Sequence, residues 1–119
     1  MKGEKPMKEI KAIIRPSKLL EVTEELHEIE GLPGVTISEI KGFGKARAKN
    51  AADKLVYEMV ELIPRIQLEV VVSDEMVDAV VNVIQKYAHT GNTGDGKIFV
   101  STVDDVVNIR TNERGEGAI

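Results

Sequence analysis

Apolar residues along this chain fall into two periods that alternate from one segment to the next. Ile10-Lys11-Ala12-Ile13-Ile14 is a short β-prone run halted by Arg15-Pro16. Ser17 then reads as the N-cap of a helix in which Leu19, Val22, Leu26 and Ile29 recur at helical spacing. Gly31-Leu32-Pro33-Gly34 ends that helix, and residues 35–40 alternate as a second strand. A third strand runs from Ile63 to Val72, with Ile66, Leu68, Val70 and Val72 on one face. Ser73-Asp74-Glu75 reads as the start of a second helix, its acidic residues at the positive end of the dipole. Its buried stripe is Val77, Val80, Val81, Ile84 and Ala88. Residues 98–102 make a fourth strand, and Val106, Val107 and Ile109 predict one more short strand before a polar tail.

The order β-α-β-β-α-β predicts an α+β, ferredoxin-like fold: a four-stranded antiparallel sheet with both helices on one face and a long loop between strands 2 and 3. Such a sheet leaves its second face open. Ile13 and Val71 point opposite to the main apolar sets of their strands, so that face is partly apolar, and oligomerisation is the simplest way to cover it. Residues 1–6 read as a mobile tail and residues 7–119 as one domain, a size that holds a single core.

Two segments fall outside the periodic pattern. Thr90-Gly91-Asn92-Thr93-Gly94-Asp95-Gly96-Lys97 places three glycines, an Asp and a Lys directly before the fourth strand. Glycines let backbone N–H groups approach an anion and lysine adds a positive charge, which is the recipe for a phosphate-holding turn; a plain turn has the same composition. The second segment, residues 41–54, carries five basic residues against one Asp. About twenty residues join strands 2 and 3 where a hairpin of roughly 2–5 is usual. The stretch is either a solvated basic loop or an arm that reaches a partner and orders there.

Composition removes several classes of function. The net charge of −4 and the scarcity of aromatic residues argue against nucleic-acid binding. With no cysteine and with His27 and His89 as the two histidines, thiolate chemistry and a histidine-based metal site or triad have little support. Neither a membrane-spanning run nor a signal peptide is evident, so no direct membrane insertion is expected and the cytoplasm is the expected compartment.

The two unusual segments, in this order and separation, resemble the PII signal-transduction family of nitrogen regulatory proteins. Ala12-Ile13-Ile14-Arg15-Pro16, Glu39-Ile40-Lys41-Gly42-Phe43-Gly44, Glu69-Val70-Val71-Val72 and Ile109-Arg110-Thr111 all look like segments of that family. The stretch from Thr90-Gly91 to Phe99-Val100, similar to the family's B-loop, is the most specific of these matches. The resemblance implies a T-loop at about residues 43–61, a B-loop at about 90–97 and a C-terminal segment at about 106–119. It implies a homotrimer that binds ATP or ADP, with AMP as a further candidate, in clefts between subunits. Such a protein controls a membrane transporter or metabolic enzyme through the T-loop, most often in nitrogen regulation, and is a regulator rather than an enzyme.

By matching position the resemblance assigns Gly94, Asp95, Gly96 and Lys97 to the phosphates, with Arg110 reaching them from a neighbouring subunit. Ile13, Thr36 and Val71 belong to the same nucleotide site, Thr36 and Val71 at its adenine and ribose end. Gly42, Phe43, Gly44 and Lys45 close the loop base over it, and Arg65 offers an anion contact. Two positions depart from the family. Ala46 stands where a glutamine helps to hold Mg²⁺ and 2-oxoglutarate, and its side chain has no oxygen for a hard cation. Asn108-Ile109-Arg110 has one arginine where two are common. These departures leave open a divergent member that senses adenylate energy state, or another small metabolite, without a 2-oxoglutarate response. A slow ATPase on the same fold is a weaker alternative, because Asp95 has no evident acid–base partner.

Overall fold

The computed structural model describes residues 6–43 and 61–119. The four expected strands form as β1 (Met7–Ile14), β2 (Thr36–Gly42), β3 (Ile63–Ser73) and β4 (Lys97–Val103). They lie in the order β2-β3-β1-β4, every neighbouring pair antiparallel. The two helices are α1 (Leu19–His27) and α2 (Val77–Ala88). This is the ferredoxin-like arrangement that the order of elements predicts.

Alternation on β1 and β3 places the core. Ile10, Ala12 and Ile14 share one face with Ile66, Leu68, Val70 and Val72, and α1 and α2 cover them with Val22, Leu26, Val80, Ile84 and Ala88. Each large side chain taken from water here contributes about 1.5–3 kcal/mol. The opposite face follows from the register. Ile13 pairs with Gln67 and Lys97, and Arg65 pairs with Ile40, so these residues stand on the uncovered side.

The ends of elements depart from expectation for local reasons. Ser17 caps nothing: Arg15 holds the N-cap position of a 3₁₀ turn (Pro16–Lys18), with Pro16 at its first residues, and that turn runs into α1. The proline ring presets the helical φ and needs no N–H partner there. A second 3₁₀ turn (Asp74–Met76) leads into α2 from Ser73. The short strand expected around Val106, Val107 and Ile109 does not form. Val107 makes an isolated bridge to Arg114, and Ile109 is fully exposed. Asn108 turns the chain instead, its side-chain oxygen accepting the N–H groups of Arg110 at 3.0 Å and Thr111 at 3.2 Å. The apolar spacing of Val107 and Ile109 imitates a strand, but the side-chain bonds of Asn108 win.

Most of the expected T-loop, including Gly44, Lys45, Ala46 and the basic run to Lys54, lies outside the described residues, as do residues 1–5 of the expected tail.

Candidate functional site

The glycine-rich segment is built around one carboxylate. Asp95 turns inward and accepts hydrogen bonds from the Thr90 hydroxyl, from the Thr90 N–H at 2.7 Å and from the Gly91 N–H at 2.9 Å. Arg15 donates its Nε to the same group at 3.0 Å. The Thr90 hydroxyl and then the Thr90 amide do most to hold the Asp95 carboxyl well below the usual carboxylate range; desolvation opposes them, and Gly91 and Arg15 add to the lowering. The loop therefore carries an ionised group whose acceptor capacity is spent on the loop itself and on Arg15.

Gly96 brings this loop against β1. Its φ is +104°, and a Cβ there would lie 1.7 Å from the Ile13 carbonyl oxygen, so no side chain fits. Gly94, at φ +100°, sits under two guanidinium groups: a Cβ there would lie 3.3 Å from Nη2 of both Arg15 and Arg65. Arg65 also reaches the Gly94 carbonyl oxygen at a long 3.4 Å. Cationic groups thus gather where the backbone is barest.

Beside the loop, a cleft of about 600 Å³ opens on the uncovered face of the sheet. Of the residues expected in a nucleotide site, it brings together Ile13, Gly42, Phe43, Arg65, Gly94, Asp95, Gly96 and Lys97. Ile40, Lys41, Ile63, Asn92 and Phe99 complete its wall. Lys41, Arg65 and Lys97 make the lining positive, while Phe43 and Phe99 offer apolar surface.

Three expected residues are elsewhere. Thr36 pairs with Glu69 at the far end of β2, roughly 13 Å along the strand from Ile40, and Val71 lies beyond it on β3, both facing the uncovered side. Arg110 is exposed in the turn that Asn108 builds. None of the three lines the cleft within one chain. Gly44 and Lys45 cannot be placed, being outside the described residues.

Arg15 is a residue that sequence reasoning missed as part of the site, and Thr90, inside the expected B-loop, was given no role of its own. Arg15 lies 80 positions from Asp95, a separation that no local motif bridges. Thr90 had a signal. A hydroxyl residue five positions before an aspartate, across glycines, is the pattern of a side chain that closes its own loop.

The family model described as "Nitrogen regulatory protein P-II" matches residues 7–113. A nitrogen regulatory protein P-II of Azospirillum brasilense is 47% identical over 113 residues, covering 95% of this chain and 100% of the relative. One from Rhodospirillum rubrum is 45% identical with the same coverage. Among solved structures, B. subtilis GlnK superposes with a TM-score of 0.78 at 32% identity, covering 96% of this chain and 99% of the other. Arabidopsis thaliana PII bound to citrate gives 0.77 at 33%, covering 100% and 97%. A B. subtilis GlnK–ATP complex gives 0.77 at 31%, covering 96% and 98%.

Proposed function

The chain belongs to the nitrogen regulatory protein P-II family, and from that premise we propose that it is a signal-transduction regulator that binds ATP or ADP on the uncovered face of its sheet. The single observation that carries this reading is the loop from Thr90 to Lys97. Gly96 packs directly on the Ile13 carbonyl, and Lys41, Arg65 and Lys97 line the adjoining cleft. Small residues and cations at one mouth suit phosphate, and the GlnK solved as an ATP complex shares this fold.

Polyphosphate lies against the amides of Gly94, Gly96 and Lys97, with the Lys97 ammonium beside it. Thr36 and Val71 stand on the same face at a distance, so a ligand that touches both ends extends along the sheet. Arg110 is exposed and free to reach the cleft of a second copy, which fits a homotrimer with its sites between subunits. A nucleotide that bridges Gly42 and Phe43 to Lys97 sits at the entry to the expected T-loop, and its occupancy there is the signal passed to a target protein. Asp95 is committed to Thr90, Gly91 and Arg15, so it is not a general base, and the reading is of a sensor rather than an ATPase. The Ala46 side chain supplies no oxygen ligand, so 2-oxoglutarate leaves nucleotide affinity unchanged.

Calorimetric titration with ATP and ADP, each with and without Mg²⁺ and 2-oxoglutarate, tests the proposal. The expected result is saturable binding that weakens about tenfold in Lys97→Met. Absence of binding by the wild-type chain overturns it. Tightening by 2-oxoglutarate overturns the argument from Ala46 alone.

A further inference from the structure

We propose that Arg15 is a positioning residue for the phosphate-holding loop, setting the path of Thr93, Gly94 and Asp95 from outside the cleft. The inference rests on the nucleotide reading above and adds to it a residue that does not line that cleft. The Arg15 guanidinium bonds to two loop residues on either side of Gly94. Its Nη2 donates to the Thr93 carbonyl oxygen at 2.9 Å, and its Nε donates to Asp95 Oδ1 at 3.0 Å. Between these two bonds it lies against Gly94, where a Cβ would stand 3.3 Å from Nη2.

The backbone explains how Arg15 comes to be there. The β1–β4 ladder ends at the pair Ile13–Lys97. Two residues beyond that pair on each strand come Arg15 and Asp95, so their side chains continue the ladder past its last backbone pair. Pro16 disfavours a helical conformation at Arg15, which sits at φ −68° and ψ 139°, and the Arg15 carbonyl accepts the Lys18 N–H at 3.0 Å. The root of the side chain is thus fixed before the guanidinium reaches the loop.

Arginine suits this place better than lysine. Its planar fork serves a carbonyl and a carboxylate together, whereas an ammonium on a flexible stem aligns with one at a time. Its charge also balances Asp95, which would otherwise set a bare negative charge among the amides meant for phosphate. The two arginines over Gly94 therefore divide the work. Arg15 holds the loop, and Arg65, with its long contact to the Gly94 carbonyl, faces the cleft.

The test compares Arg15→Met and Arg15→Lys with the wild-type full chain, using ATP and adenosine as probes and amide hydrogen exchange of the ligand-free proteins. For Arg15→Met, ATP affinity is expected to fall about tenfold or more while adenosine affinity holds within about twofold. Arg15→Lys is expected to recover part of the loss. Amides of residues 93–96 are expected to exchange faster in Arg15→Met, with those of β1 and β3 unchanged. Equal losses for ATP and adenosine would assign Arg15 a merely structural role and overturn the proposal, as would ATP binding at the wild-type level. Should the wild-type chain bind no ATP, the nucleotide reading fails by itself; the exchange experiment still decides whether Arg15 orders the loop, and unchanged exchange overturns that too.

Discussion

Gly96 and Asp95 are neighbours with opposite tasks, and together they define the loop. Gly96 supplies what no other residue can, a positive φ with backbone contact to Ile13. Gly96→Ala places a methyl group 1.7 Å from the Ile13 carbonyl oxygen, so β1 or the loop must move. The expected cost is at least about 2 kcal/mol of unfolding free energy, read from denaturant titration, together with loss of ATP binding. Asp95 supplies the acceptor that gathers the loop. Its carboxyl is held below its ordinary value of 3.8, so the folded state favours the ionised form. The contribution is fully present above that ordinary value and is lost as pH falls through the lower folded value. The Asp95 side-chain carboxyl carbon shift, followed by NMR, is therefore expected to titrate with a midpoint below 3.8. A midpoint at or above 3.8 would show that the bonds from Thr90 and Gly91 do not form in solution.

At the scale of elements, the strands and helices were legible because their constraints repeat. Ile66, Leu68, Val70 and Val72 state a buried face four times over, and Val80 and Ile84 state a helical stripe. Legibility failed where a single side chain decides the outcome. Asn108 converts an apparent strand into a turn through two bonds, and Pro16 moves the start of α1 away from Ser17. The candidate site divides in the same way. Gly94, Gly96 and Lys97 are adjacent in sequence and could be read together, whereas Arg15 joins them only once β1 and β4 have paired. The packing between elements gives its own prediction. Ile84 is buried between α2 and the sheet, and Ile84→Ala is expected to cost about 2–5 kcal/mol. Leu20, 70% exposed on α1, is expected to tolerate Leu20→Ala within about 0.5 kcal/mol. Comparable losses at the two positions in chemical denaturation would mean that α1 packs by another face.

Over the whole molecule, the two faces of the sheet are unequal. One is sealed by α1 and α2; the other carries Ile13, Arg65, Val71, Lys97 and Phe99 uncovered, and the cleft opens on it. A face that is both partly apolar and the bearer of the site fits an assembly whose sites form where copies meet. Light scattering is expected to give three times the chain mass, and a monomer would leave Arg110 with no cleft to reach. The central claim, that the glycine-rich loop is where the nucleotide's phosphates rest, has a more direct measurement. Amide hydrogen exchange of the wild-type chain is compared with and without saturating ATP. The account predicts protection concentrated at Gly94, Gly96 and Lys97, with the amides of the α1 surface unchanged. ATP binding that leaves those three amides unprotected would contradict it.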